Sequence, residues 1–440
     1  MPITLKLPTP FVTLRACRRW LTLLLLSALL CGCAVNPLTG QRELSLFDEQ
    51  WERTVGATHY APLRQAEGGD FTLNPELVRY VQSVGSRLVE HADRDLDYEF
   101  AVINSSVPNA WALPGGKIAI NRGLLTELRS EAELAAVLGH EMAHAAARHG
   151  ARAQSRQILA QTAVVLGGVA VGVATDRDEY ATVAVLGGLL GAALIGQRHS
   201  RDAEREADYF GMITMHRAGY DPVGAVELQQ SFVRLSEGRD RGFLDGLFAS
   251  HPPSQERVEN NRRTASELGV GGFRGEAEYQ QQIALLQSLA PAYAALDAGR
   301  RALAEGEVSA ALEQAETALA LTDQEPLFHN LAGDALASAG QLEAAEAAYS
   351  RALRLDQSWF YPLLRRGMVR RSLGRLEAAR TDLQASITRL ETADGHYHLG
   401  SIERALGRRE AAISHYRIAA QSDDPSGQRA RQALRELDAD

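Results

Sequence analysis

The chain has 440 residues, 45% hydrophobic and 23% charged, which is ordinary for globular protein and enough for two or three domains. Its formal net charge of −9, with no basic block beyond the N-terminus, argues against a nucleic-acid-binding protein.

Arg15, Arg18 and Arg19 precede an apolar run, Leu21 to Leu30, which is too short to span a bilayer comfortably and fits a signal peptide. The run ends in Leu30-Cys31-Gly32-Cys33, which resembles a bacterial lipoprotein lipobox, departing from it at Cys31, where Ala or Ser is usual. The resemblance implies lipidation of Cys33, and Ala34 in place of Asp implies an outer-membrane destination. Cleavage there removes Cys17 and Cys31, so no thiol is left for a disulfide. A plain secretory signal or membrane anchor is the alternative.

A helical pattern begins at Asp48, and Asn74-Pro75-Glu76-Leu77 opens a second helix whose apolar residues recur from Val78 to Val89. Phe100 to Ile103, Asn109 to Leu113 and Lys117 to Asn121 read as strands, the last two joined by a turn at Pro114-Gly115-Gly116. An exposed edge strand can hold an extended polypeptide by main-chain pairing, and Asn109, Ala110, Trp111 and Ala112 are candidates for one. Burial of that strand with no such role is the alternative.

Glu131 to Gly139 are strong helix formers leading into His140-Glu141-Met142-Ala143-His144. Residues four apart share a helix face, so His140 and His144 can direct one imidazole nitrogen each at a common zinc ion, with Glu141 one position round, placed to polarise a metal-bound water. A catalytic zinc needs a third protein ligand, and Glu204 in Glu204-Arg205-Glu206-Ala207-Asp208 is the best candidate. Asp208, one turn beyond, is placed to accept the free N–H of a ligand histidine. Glu206 points roughly 160° away from Glu204 and is expected in an exposed salt bridge or a cap. Between the motifs, Ile158 to Thr175 and Ala181 to Gly196 are apolar and rich in small residues. They read as a buried or membrane-apposed helical hairpin, or as a transmembrane one; their length favours the first.

Downstream, Gly306, Gly340, Gly374 and Gly407 each open a Gly-x-x-x-x-Ala signature at intervals of 34, 34 and 33 residues. That period identifies tetratricopeptide repeats, about four helix pairs stacked into a curved solenoid with a concave binding face. Trp359, Phe360, Tyr361, His396, Tyr397 and His398 are candidates for facing a partner, with core packing the alternative.

Three stretches together carry a family resemblance: Asn109 to Gly116, His140 to His144 with His149 after it, and Ser200 to Asp208. They resemble the gluzincin metallopeptidases related to HtpX and Oma. With the lipobox and the repeats, the chain is similar to the BepA-like periplasmic peptidases that assist outer-membrane β-barrel assembly. The resemblance implies one Zn2+ per chain on His140, His144 and Glu204, with Glu141 as general base and Asp208 supporting catalysis. It also implies a zinc endopeptidase acting on misfolded or stalled outer-membrane proteins. A scaffold or chaperone in which the repeats do the main work is the rival reading.

The expected partners are unfolded or stalled outer-membrane proteins and their assembly machinery, with the membrane held through lipidated Cys33. On the same footing, His251, in a proline-rigid loop, is expected to approach the open zinc position or the reacting carbonyl as a latch, and Arg257 or His251 to stabilise an oxyanion; a helix-capping loop with a solvated histidine is the alternative. His149 and His199 read as structural. The expected fold is mainly α. A signal peptide at 1–33 precedes an α+β zincin-type metallopeptidase domain at 34–285 with a small sheet, and an α-solenoid of tetratricopeptide repeats follows at 286–440.

Overall fold

The computed structural model describes residues 33–170, 199–238 and 250–439. The signal segment before Cys33, the second apolar run and part of the first lie outside the described residues. No helix among the described residues is long and apolar enough to cross a membrane.

The described chain opens with a hairpin, β1 (Cys33–Val35) against β2 (Arg42–Leu44), followed by α1 (Glu49–Ala66) and α2 (Pro75–Val89). Asn74 caps α2, accepting from the Glu76 and Leu77 amides at 3.1 Å each, and Pro75 sits at the first turn, where no amide is needed. Three strands then form one sheet, β3 (Glu99–Ile103), β4 (Ala110–Leu113) and β5 (Lys117–Asn121), in the order β3-β5-β4. β5 runs parallel to β3 and antiparallel to β4, which leaves β4, holding three of the four candidate edge residues, at one side of this sheet.

After a short α3 (Arg122–Leu125) comes α4 (Glu131–Ala146), the central helix, with every residue but His140 buried. Ser130 caps it by accepting from the Glu133 amide at 3.2 Å, while Glu133 reaches back to accept from the Arg129 amide at 2.8 Å. Leu134 and Leu138 lie in one core with Leu77, Val81 and Leu88 of α2. α5 (His149–Ala170), α6 (Arg201–Arg217), α7 (Val223–Gly238) and α8 (Gln255–Leu268) complete the shell around it.

The approach of α4 to α6 sets the geometry of everything that follows. A Cβ on Gly139 would lie 2.9 Å from the Gly211 carbonyl oxygen, and one on Gly211 would lie 2.8 Å from the His140 amide nitrogen. Only two glycines facing each other let the backbones come this close, and α6 carries Glu204 and Asp208.

α9 (Glu276–Ser288) crosses the expected division at 285/286. Its Tyr279, Ile283 and Leu286 belong to the same core as α4, and the Tyr279 hydroxyl donates to the Leu125 carbonyl at 2.6 Å. Four helix pairs follow: α10 (Ala290–Ala304) with α11 (Val308–Leu321), α12 (Pro326–Ser338) with α13 (Leu342–Leu355), α14 (Phe360–Ser372) with α15 (Leu376–Arg389), and α16 (Ala393–Ala405) with α17 (Arg409–Ala419). A single helix, α18 (Pro425–Ala439), ends the stack. The signature glycines 306, 340, 374 and 407 have φ between 73° and 79°, the left-handed turn between the two helices of each pair.

Trp359 does not face an open partner surface. It is buried, its ring stands against Gly69, and its indole N–H donates to the Gln65 carbonyl at 3.0 Å. A second polar join lies beneath it. Glu325 accepts from the Asn104 amide at 3.0 Å and from the Tyr293 hydroxyl at 2.7 Å, while the Arg122 guanidinium lies 3.4 Å from the Tyr293 ring centroid. The solenoid is therefore docked on the N-terminal domain. His396 and His398 are buried within the repeats, and the Tyr361 hydroxyl donates to Asp334 at 2.9 Å.

Gly211→Ala is expected to push α6 off α4. Overpacking of this kind should destabilise the protein by about 1–3 kcal/mol and reduce bound metal, checked by thermal melting and metal content; unchanged values for both would show that the helices can part freely.

Candidate active site

Four side chains converge at the middle of α4. His140 and His144 bring their Nε2 atoms to 3.0 Å of each other. Glu204, on the first turn of α6, places Oε1 3.3 Å from His144 Nε2 and Oε2 3.6 Å from His140 Nε2. His251 places Nδ1 3.1 Å from Glu204 Oε1 and 3.3 Å from His140 Nε2. One ligand atom from each lies within 4.8 Å of the others.

This donor set fits zinc. A tetrahedral zinc bound at about 2.0–2.1 Å separates its ligand atoms by about 3.3 Å, and the cluster's edges scatter around that value. Imidazole nitrogens with one carboxylate oxygen are also the ligand types zinc takes.

The surroundings fix orientation and charge. Asp208 accepts from His140 Nδ1 at 3.0 Å, which turns Nε2 of that ring toward the cluster. Arg257 grips the acidic residues, donating twice to Asp208 at 2.7 Å and pairing with Glu204 at 2.9 Å. Its remaining contact is the Pro252 carbonyl at 3.3 Å, so the guanidinium is engaged chiefly by carboxylates, at the wall of the cavity that His140 and Glu141 also line.

Burial opposes charge on Glu204, but His251, His140 and His144 outweigh it and hold the carboxyl well below the usual range. Asp208 is likewise opposed by burial and lowered by Arg257. Burial, reinforced by His199, drives His144 well below an ordinary histidine and leaves it neutral. Burial also opposes charge on His140, yet Asp208 and Glu204 hold its pKa up at about 10. Ionised carboxylates and a neutral His144 are the forms a metal requires; His140 must release a proton to bind one.

Glu141 is buried beside the cluster, with Oε1 3.6 Å from His251 Nε2. An apolar cavity next to it is walled by Ala110, Val137, Met212, Leu228 and Phe232. Ala110 is on β4, whose outer edge pairs with no strand among the described residues. Asn109, Ala110 and Trp111 are themselves buried, and Ala112 is half-buried. Cys33 stands at the start of β1, paired with Leu44.

One expectation changes, and two residues gain a place. Glu206 is not in an exposed salt bridge: it is largely buried, accepts from the Asn36 side-chain amide at 2.6 Å and lies 3.6 Å from His149 Nε2. His149 and His199 both enter the histidine cluster; the His199 ring centroid is 4.0 Å from that of His144. The His199 amide also donates to the Ser250 carbonyl at 3.4 Å, joining the strand of chain before α6 to the loop that presents His251. The helical repeat gave no sign of the His149 contact, since five residues place it off the face of His144.

Comparison with known proteins agrees with the geometry. Residues 75–265 match Peptidase family M48, and residues 296–362 and 364–427 match the tetratricopeptide repeat. The mitochondrial metalloendopeptidase OMA1 of Schizosaccharomyces pombe is 30% identical over 256 residues, covering 57% of this chain and 72% of that protein. The beta-barrel assembly-enhancing protease of Escherichia coli is 29% identical over 209 residues, 47% of this chain and 42% of that protein. The match thus spans well under two thirds of that bacterial relative's own length. A solved tetratricopeptide-repeat protein of Thermus thermophilus aligns at TM-score 0.31 and 22% identity over 47% of this chain and 98% of its own.

Asp208→Ala removes the acceptor that orients His140. Zinc affinity is expected to fall by about 10–100-fold, measured by competition with a chelator; affinity equal to that of the unmutated protein would show that His140 is oriented by something else.

Proposed function

This chain belongs to peptidase family M48, and we propose that it is a zinc endopeptidase acting in the periplasm on misfolded or stalled outer-membrane proteins, with the repeats as its substrate or partner adaptor. The observation that carries this reading is the convergence of His140, His144, Glu204 and His251 within 4.8 Å, with Glu141 buried alongside. The substrate class rests on the similarity to beta-barrel assembly-enhancing proteases and on the repeats, which bind polypeptide in many settings. The lipobox resemblance at Cys33 supports an anchor at the outer membrane.

Zinc, when bound by His140, His144 and Glu204, supplies Lewis-acid polarisation of the scissile carbonyl. Glu141 accepts the proton of the attacking water and hands it to the leaving amine. Asp208 and Arg257 keep His140 and Glu204 in place for that chemistry. The outer edge of β4, which pairs with no strand among the described residues, offers main-chain partners to an extended substrate, and the apolar cavity walled by Val137, Met212 and Phe232 accommodates a substrate side chain.

His251 stands between the ligand atoms and Glu141. Its Nδ1 completes the ligand set, and its Nε2 faces Glu141. We read it as a latch that holds the protease quiet until the loop moves.

The first test is cleavage of an unfolded β-barrel precursor by the zinc-loaded protein. Glu141→Gln is expected to keep its zinc and lose about 10²–10⁴-fold in rate; equal cleavage by both would remove Glu141 from the chemistry. His251→Ala is expected to weaken zinc binding and raise basal cleavage of the same precursor. If neither changed, His251 would be no latch.

A further inference from the structure

We propose that His149 is a positioning residue for the metal site, and that it ties the orientation of His144 to the N-terminal hairpin through Glu206 and Asn36. The inference rests on the reading of His140, His144 and Glu204 as zinc ligands.

A continuous helix would carry His149 away from His144, because five residues turn it by about 500°, or 140° past the starting face. The chain avoids that at Arg148, the one non-glycine residue with positive φ among those described, at 62°. This left-handed residue ends α4 and begins α5 in a new direction. The conformation is disfavoured for a side chain with a Cβ, and Arg148 is held in it by Glu52 at 2.9 Å and by the Phe47 carbonyl at 2.7 Å. The result is that His149 Nδ1 lies 2.8 Å from His144 Nδ1, in a fully buried contact.

Two imidazole nitrogens at hydrogen-bond distance share one proton, so one donates and the other accepts. His144 directs Nε2 into the ligand cluster, which places its own proton on Nδ1. His149 Nδ1 is then the acceptor, and the His149 proton sits on Nε2. That nitrogen is buried with no hydrogen-bond partner within range, and the Glu206 carboxylate is 3.6 Å beyond it.

The far end is equally defined. Asn36 Oδ1 accepts from the Leu38 amide at 2.9 Å, so its Nδ2 is the atom turned to the carboxylates, donating to Glu206 at 2.6 Å and Glu43 at 3.3 Å. Arg152 pairs with Glu43 at 2.7 Å and stands 3.7 Å from Glu206. The two zinc histidines therefore have different supports. His140 donates directly to a carboxylate on α6. His144 donates to an imidazole, which points its own N–H at a second carboxylate on α6, held by the hairpin that follows Cys33.

The test is the zinc affinity of the full chain by chelator competition, with metal-free melting temperatures recorded for every variant. His149→Leu removes the acceptor and is expected to weaken zinc by about 10–100-fold, while His149→Gln, whose carbonyl can accept the same N–H, should stay within about threefold. Asn36→Ala and Glu206→Gln should give intermediate losses. Equal affinity in the Leu and Gln variants, whether retained or lost, would reduce His149 to packing and overturn the proposal. A loss in His149→Leu with Asn36→Ala and Glu206→Gln both unaffected would overturn the link to the hairpin. An unmutated protein that binds no zinc would sink the ligand assignment itself, and this inference with it.

Discussion

The contact of Gly139 with Gly211 is the constraint on which the site depends. Helices packed through ordinary side chains stand 8–10 Å apart, roughly, and at that spacing a short carboxylate on one reaches a histidine on the other poorly. Here the two backbones touch, so Glu204 can meet both His140 and His144 while Asp208 meets the back of His140. Everything else in the centre presumes this approach: the clamp of Arg257, the entry of His251 and the position of Glu141.

Such a cluster is an unfavourable thing to bury by itself. Glu204, Asp208 and Arg257 are all nearly inaccessible to water, and burial opposes charge on each. They remain charged because each faces an opposite charge or a donor, which is the condition for keeping ionised groups in a protein interior. The arrangement is strong in orientation more than in stability. It holds the ligand atoms at a metal's spacing through interactions that would rather be hydrated, and a divalent ion is the group that best answers the concentration of acceptors at its centre.

Much of this was legible in the amino-acid sequence, because it follows a period. His140 and His144 share a face by the helical repeat, Glu204 and Asp208 do the same on another helix, and Gly306, Gly340, Gly374 and Gly407 recur at the length of a helix pair. The three strands were marked by β-branched and apolar residues bounded by turn residues, and their positions agree with β3, β4 and β5 to within a residue. What escaped were relations that no period encodes. His149 meets His144 only because Arg148 takes a left-handed turn. Glu206 lies off the ligand face, as its spacing requires, yet the surface it meets is the N-terminal hairpin and not solvent. Trp359 looked like a residue of the repeats and is instead shared with Gln65 and Gly69, nearly three hundred positions earlier in the chain.

That last join has a mechanical consequence. With Trp359 seated on one domain from the other, and with Glu325, Asn104, Arg122 and Tyr293 locked beneath it, the solenoid is not a tethered arm sampling space. The reach from any repeat to α4 is therefore a fixed property of the fold, set by packed side chains and not by the length of a linker.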